Sequence, residues 1–148
     1  MKRYHFIAIG GSAMHSLAIA LKENGDQISG SDDAIFDPSK TQLLKAAIYP
    51  EKMGWHPEKI STDLDAVILG MHAKADNPEL ITAQSLGLKI YSYPEFIAHF
   101  SKRKTRVVIA GSHGKTTISA MVLHVLKYHD RSVDFMLGAQ LEGYNNSV

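Results

Sequence analysis

The chain has 148 residues, of which 45% are apolar and 21% are charged. These proportions are those of a folded domain, and they exclude a disordered tail or a low-complexity spacer. Sixteen basic and fifteen acidic side chains leave a net charge of +1 and there is no cysteine, which argues against a nucleic-acid-coating protein and excludes disulfide scaffolds and thiolate sites. The apolar runs are far shorter than the ~20 residues of a membrane helix. We therefore expect a soluble, cytoplasmic protein with no nucleic-acid or membrane partner.

Strand-like and helix-like segments alternate from the start of the chain. Residues 4–9 are a short apolar run that ends in two glycines, which is typical of a buried strand. A helix follows, with its apolar residues spaced by three and four positions between Met14 and Leu21. Residues 27–30 predict a second strand, Asp37–Pro38 predicts the capped start of a second helix, and 46–49 predict a third strand.

The same alternation continues to residue 100. Residues 65–71 are the clearest strand, Asn77–Pro78 repeats the signal of a capped helix start, and Gly87 marks the end of that helix. Residues 89–91 predict another strand and 94–100 a short helix. Strands that alternate with helices over short links predict an α/β fold, a Rossmann-like open parallel sheet with helices on both faces.

The chain changes character at residues 101–106, a polar and basic run. It could attract phosphate, but short charged runs are usually exposed connections, and we interpret it as a linker. A strand at 106–110, a loop, an amphipathic helix and a strand at 133–137 then predict the beginning of a second α/β domain. Because the loop contains Gly114-Lys115-Thr116 before the helix, we expect this domain to be of the P-loop ATPase type.

These boundaries predict two domains, 1–100 and 101–148, of which the second is incomplete. A strand–loop–helix–strand unit of this size is too small to cover both faces of a sheet. We therefore expect the 148 residues to be part of a longer enzyme and to be inactive alone.

The strongest motif lies between the strand at 106–110 and the helix after it. It reads Gly111-Ser112-His113-Gly114-Lys115-Thr116-Thr117. Glycines allow successive N–H groups to converge on one anion, and the helix N-terminus adds positive potential. Lys115 would reach the β- and γ-phosphates of ATP, and the Thr116 hydroxyl would bind Mg²⁺. A full Walker loop has a further glycine where this chain has Ile109, so the loop is a shortened variant.

A second glycine turn follows the first strand, where dinucleotide-binding proteins hold a pyrophosphate. It reads Gly10-Gly11-Ser12-Ala13-Met14, and the other glycines of the full fingerprint are replaced by Ser12 and His15. The turn would suit any diphosphate on a helix N-terminus, or it is simply a tight connection.

Three further residues are candidates on the nucleoside side of such a ligand. Asp32 and Asp33 follow the second strand, where an acid can bind a ribose hydroxyl, although both residues are also turn formers. His72 follows the strand at 65–71, at the carboxyl edge where α/β proteins bind ligands.

With both glycine loops in this order, the chain resembles the Mur ligases, the ATP-dependent amide-forming enzymes of peptidoglycan synthesis. The segments that carry the resemblance are 5–14, 29–32, 75–79 and 110–117. The resemblance implies that residues 1–100 bind UDP-N-acetylmuramate, with Gly10, Gly11, Ser12, Ala13 and Met14 at the diphosphate and Asp32 and His72 near the nucleoside. It further implies ATP and Mg²⁺ at residues 111–117, with Lys115 and Thr116 in the catalytic step, and an acyl phosphate intermediate.

The resemblance covers two branches of the family, which add either L-alanine or the tripeptide L-alanyl-γ-D-glutamyl-meso-diaminopimelate. Ala13 and Ser16 replace glycines of the alanine-adding branch, and the segment 140–143 is more similar to the recycling branch that adds the tripeptide. Two other hypotheses stay open from the residues alone. One is an NAD(P)-binding oxidoreductase domain, and the other is a non-catalytic UDP-sugar-binding module.

Overall fold

The computed structural model describes residues 1–71 and 73–137. The chain divides into two compact units, Met1–Lys102 and Arg103–Val148. The first unit contains strands β1 (Arg3–Ile7), β2 (Gln27–Ser31), β3 (Ala66–Leu69) and β4 (Ile90–Ser92), and helices α1 (Ser12–Glu23), α2 (Ser39–Lys45), α3 (Pro78–Ser85) and α4 (Tyr93–Phe100). The second contains α5 (Lys115–Tyr128). Among the residues described, no helix is long and apolar enough to cross a membrane.

The four strands form one parallel sheet in the order β2-β1-β3-β4. From β1 the chain adds β2 on one side and then β3 on the other. Loops that leave neighbouring strands in opposite directions open a crevice at the carboxyl edge, which is where open α/β sheets bind ligands.

Helices cover both faces of the sheet, as the sequence predicts. On one face Ile7 and Val67 pack with Leu80 and Ala83 of α3 in a buried apolar cluster. Successive side chains of a strand point to opposite faces, so Tyr4 lies on the other face, where its ring meets Phe96 of α4 edge-to-face at 5.3 Å.

Helix α3 has the ends that the sequence predicts. The Asn77 side chain accepts hydrogen bonds from the backbone N–H groups of Glu79 and Leu80, and Pro78 is the first helical residue. Gly87 takes the left-handed conformation after the last turn, with φ of 65°. Helix α2 begins at Ser39 instead, and Asp37 accepts from the N–H of Thr41.

The strand predicted at 46–49 is wrong. Ala47 has φ of 55°, and the N–H groups of Ala47 and Ile48 donate to the carbonyls of Leu44 and Leu43 at the end of α2. These donors close the helix, so they do not pair with another strand.

The strands predicted at 106–110 and 133–137 are also wrong, although α5 forms as expected. Val107 and Val108 are 79% and 84% exposed. An apolar run becomes a buried parallel strand only where a neighbouring strand accepts its hydrogen bonds. In the described part of the second unit, no strand pairs with residues 106–110. The described residues of the second unit therefore do not include the sheet of the expected P-loop domain.

Candidate functional site

A cleft of about 400 Å³ lies at the carboxyl edge of the sheet in the first unit. Its walls come from residues 8, 10, 11 and 14 after β1, residues 32–34, 36, 37 and 39 after β2, and Gly70 and Met71 after β3. Ser12 and Ala13, which are also predicted at this site, do not line the cleft. The parallel topology therefore brings the first glycine turn and Asp32 together, as the sequence predicts. His72 lies outside the described residues, as do residues 140–143.

Gly10 holds the glycine turn against the loop that follows β2. A Cβ atom at this position would lie 2.9 Å from Asp32 Oδ2 and 2.9 Å from Ile35 Cγ1, closer than real Cβ contacts allow. The Gly10 N–H donates to Asp32 Oδ2 at 2.7 Å. Glycine at this position permits the close approach, so the turn and the loop that follows β2 lie directly against each other.

The N-terminus of α1 opens at this wall. Gly11 is the N-cap residue of α1 and has extended backbone angles. It has no side chain that could cap the helix, and the first turn of α1 contains no acidic residue. Ser12 and Ala13 are exposed, while Met14 is buried. The N–H groups of a first helical turn have no intrahelical partner, and together with the helix dipole they bind anions. The geometry is suited to one phosphate group or a diphosphate.

His15 stands where the dinucleotide fingerprint has its third glycine, and it is 4% exposed. Its Nδ1 is hydrogen-bonded to the Gly11 carbonyl at 2.9 Å and to Ser39 Oγ at 3.0 Å, and its Nε2 to Gln42 Oε1 at 2.9 Å. The ring therefore ties the N-terminus of α1 to α2. The sequence showed that a glycine is missing here, but not this role, because the partners of His15 on α2 are distant in the chain.

Asp32 is 6% exposed and serves the structure of the turn. Burial raises the pKa of its carboxyl above the ordinary value, the Gly10 N–H opposes that rise, and the neighbouring Asp33 adds to it. The Asp32 carbonyl accepts from the N–H of Gly54 at 2.7 Å, which fixes a third segment. Contact between Asp32 and a ribose hydroxyl stays a prediction.

The described lining of the cleft is acidic. It includes Asp32, Asp33 and Asp37 and neither lysine nor arginine. A phosphate group in this cleft would therefore rely on backbone N–H groups and the α1 dipole for its positive partners.

A buried polar network lies on the α3 face of the sheet, and sequence reasoning missed it. His5 and Glu79 are both fully buried, with 3.4 Å between Nε2 and Oε2. His5 Nδ1 is hydrogen-bonded to Ser29 Oγ at 2.8 Å, and the His56 N–H donates to Glu79 Oε1 at 2.7 Å. Burial alone would raise the pKa of Glu79, but the hydrogen bonds, foremost that of His5, hold it below its ordinary value.

The second glycine loop lies directly before α5, as predicted. Gly111 and Gly114 have φ of 154° and 77°, conformations that favour glycine, and Gly114 is the N-cap of α5. Lys115 Nζ donates to the Gly111 carbonyl at 2.6 Å and the Ser112 carbonyl at 3.3 Å. The ammonium group therefore reaches back over the loop.

The other residues of this loop are accessible. Thr116 and Thr117 are exposed in the first turn of α5, and His113 Nδ1 lies 3.2 Å from Ser112 Oγ. Within the described residues no group of three or more histidine or acidic side chains could hold a metal ion. A single hydroxyl such as that of Thr116 fits a Mg²⁺ ion that is also held by phosphates.

Comparison with known proteins decides between the families that this geometry allows. The model of the Mur ligase family, catalytic domain, matches residues 3–105. The chain belongs to the Mur ligase family. The predicted resemblance is thereby confirmed.

Among curated relatives, UDP-N-acetylmuramate–L-alanine ligase of Carboxydothermus hydrogenoformans is 34% identical over 98% of this chain and 31% of its own length. The enzyme of that name from Sulfurihydrogenibium sp. is 37% identical over 100% of this chain and 32% of its own length. The chain thus spans about a third of the length of the curated relatives it matches.

Solved structures of both branches have the same fold. The UDP-N-acetylmuramate:L-alanyl-gamma-D-glutamyl-meso-diaminopimelate ligase from Neisseria meningitides gives a TM-score of 0.83 at 32% identity, over 99% of this chain and 46% of that one. The UDP-N-acetylmuramate-alanine ligase from Thermotoga maritima gives 0.80 at 28% identity, over 99% and 34%.

Proposed function

We propose that this chain is the nucleotide-binding part of an ATP-dependent ligase that joins the carboxylate of UDP-N-acetylmuramate to an amine in peptidoglycan synthesis. The observation that carries the proposal is the presence of two glycine loops in one Mur-family chain, each at a helix N-terminus, one at the cleft of the sheet and one before α5. The relatives and structural neighbours, whose names specify UDP-N-acetylmuramate ligases, support it.

The proposal divides the work between two domains. Residues 1–100 would bind the UDP substrate, with the diphosphate at Gly11, Ser12, Ala13 and Met14 and with Asp32 and His72 toward the nucleoside. Residues 101–148 would begin the ATP-binding domain. Of the first turn, Gly10 has its N–H bonded to Asp32, so its part is to shape the site rather than to donate to the ligand.

The residues of the second loop fit ATP. The left-handed glycines and the N-terminus of α5 provide backbone donors, and Lys115 already reaches the loop's own carbonyls. Lys115 would neutralise the β- and γ-phosphates, and Thr116 would hold Mg²⁺, which supplies further charge neutralisation. Catalysis of this kind is mainly positioning and electrostatics, which agrees with the absence of any general base among the residues we assign.

In the proposed reaction the carboxylate oxygen of the muramyl group attacks the γ-phosphorus, and ADP leaves. The amine then attacks the acyl carbon, loses a proton, and releases inorganic phosphate. The amine is L-alanine or the tripeptide L-Ala-γ-D-Glu-meso-diaminopimelate. A reaction that consumes ATP would take place in the cytoplasm.

Binding and turnover test separate parts of this proposal. Isothermal titration with UDP-N-acetylmuramate, NAD and ATP should give binding of the UDP compound and no binding of NAD. Binding of NAD instead would favour an oxidoreductase. Phosphate release by the intact protein, measured with L-alanine and with the tripeptide in turn, should identify the amine. Release with neither amine, together with UDP-compound binding, would leave a non-catalytic binding module.

A further inference from the structure

Phe36 is a large aromatic residue that lies in the cleft and is 77% exposed. Its backbone is held on both sides. The Phe36 carbonyl accepts from the N–H of Lys40 at 3.0 Å, and the preceding Ile35 is 7% exposed and lies against Gly10. A fixed backbone therefore presents an accessible aromatic ring to the space next to the glycine turn.

A second apolar side chain reaches the same cleft from a different loop. Met71 follows β3 and is 87% exposed. Phe36 and Met71 thus belong to the loops that follow β2 and β3, the two strands that flank β1 in the sheet. A lone exposed apolar residue on a surface needs no explanation, but two that line one concave site are typical of a ligand-binding wall.

The charges in the cleft define which part of a ligand can lie there. Asp33 and Asp37 belong to the same loop as Phe36, and carboxylates repel phosphate. The phosphates of a nucleotide therefore have their favourable place at the N-terminus of α1. The uncharged end of the same molecule is left for the loop that carries Phe36.

We propose that Phe36 stacks on the heterocyclic base of the bound nucleotide, with Met71 adding an apolar contact. This rests on the proposed function, and it identifies the base-recognition residue of that site. Aromatic side chains bind bases through their π-faces and leave hydrogen-bond recognition to other groups. Phe36 then contributes affinity for a flat aromatic ring rather than for the diphosphate.

The test compares two nucleotides that differ only in the ring. UDP has a planar aromatic base, whereas 5,6-dihydro-UDP has a puckered, saturated one and the same diphosphate. Titrations use the intact protein, F36A and F36W. The matched control is L44A, because Leu44 is also an exposed apolar residue, at 54%, and lies outside the cleft lining.

The wild-type protein should prefer UDP to dihydro-UDP, and F36A should bind UDP roughly 5- to 100-fold more weakly, the loss that removal of one stacking contact causes. F36A should also lose most of the preference between the two nucleotides. F36W should keep the affinity, and its fluorescence should be quenched by UDP more than that of wild type, whose only tryptophan is Trp55. L44A should bind as wild type.

Two results would overturn the stacking assignment alone. The first is F36A that binds UDP as tightly as wild type does. The second is F36A that loses affinity for both nucleotides equally and keeps the preference, as expected of a general structural effect or of a Phe36 that covers another protein segment. A wild-type protein that binds no UDP would overturn the proposed function, and the stacking assignment with it.

Discussion

Replacement of the two adjacent glycines of the first turn should have different effects: Gly10→Ala should lower the stability of the fold, and Gly11→Ala should weaken ligand binding. In Gly10→Ala the new Cβ would lie 2.9 Å from both Asp32 Oδ2 and Ile35 Cγ1. Neither neighbour can move freely, because Asp32 is hydrogen-bonded to this residue and Ile35 is buried. In Gly11→Ala the nearest atoms are Met14 Cγ at 3.4 Å and Met14 Cβ at 3.6 Å, and φ of −58° suits any residue.

The magnitudes follow from these contacts. Overpacking of this kind costs about 1–3 kcal/mol, and Gly10→Ala reaches the upper end if the bond to the Asp32 carboxylate is lost as well. Gly11→Ala should change the free energy of unfolding by less than about 1 kcal/mol, the usual cost of alanine at an uncapped N-cap. Gly11 lines the cleft, however, so the added methyl should keep a diphosphate from approaching the N-terminus of α1.

The assay measures stability and binding on the same two variants. Urea unfolding followed by circular dichroism should show a lower midpoint for Gly10→Ala and a nearly unchanged one for Gly11→Ala. Titration with UDP-N-acetylmuramate should show weakened binding for Gly11→Ala despite its intact fold. Gly10→Ala that is as stable as wild type, or Gly11→Ala that is the less stable of the two, would refute these assignments.

Three further changes test the remaining parts of the site. Asp32→Asn keeps an acceptor for the Gly10 N–H. The folded pKa of Asp32 is raised above 3.8, so wild type loses stability as the pH rises through that folded pKa. Thermal unfolding at pH 7 should therefore show a variant at least as stable as wild type. Glu79→Gln should cost about 1–3 kcal/mol at pH 7 by disturbing the bond to His5. The variant should also lose part of the pH dependence of folding stability below 4.5, the ordinary pKa of glutamate, because the stability that comes from a lowered pKa is lost as the pH falls. An unchanged pH profile of stability would contradict this. Lys115→Ala in the intact protein should lower turnover roughly a hundred- to thousandfold without changing the affinity for the UDP substrate, and near-normal turnover would disprove the phosphate-loop assignment.

The four strands of the first unit and both ends of α3 could be predicted because their signals are local. Asn77 and Pro78 start α3 through contacts within four residues, and apolar runs followed by glycines end at the same edge of a parallel sheet. The residues 106–110 show the limit of that logic. Their composition is that of a buried strand, but a strand also needs a partner for its hydrogen bonds, and composition does not provide one.

The buried network of His5 and Glu79 could not be predicted from local sequence patterns, for a different reason. His5 and Glu79 are 74 residues apart in the chain, and each alone is an ordinary polar residue. Only the register of β1 against its neighbours and the docking of α3 bring them together. His15 lies between these cases, because its place in the glycine fingerprint was visible in the sequence, while its partners on α2 were not.

The contacts of Gly10 restrict how a nucleotide can lie in the cleft. Its N–H is already bonded to Asp32, so the backbone donors left for a diphosphate are those at the first turn of α1, near Ser12 and Ala13. The Asp32 carboxylate opposes the approach of phosphate from the side of the loop that follows β2, while the dipole of α1 favours phosphate at the N-terminus of that helix. Attraction at one end and repulsion at the other would orient a bound nucleotide as we propose, with its uncharged ring toward Phe36.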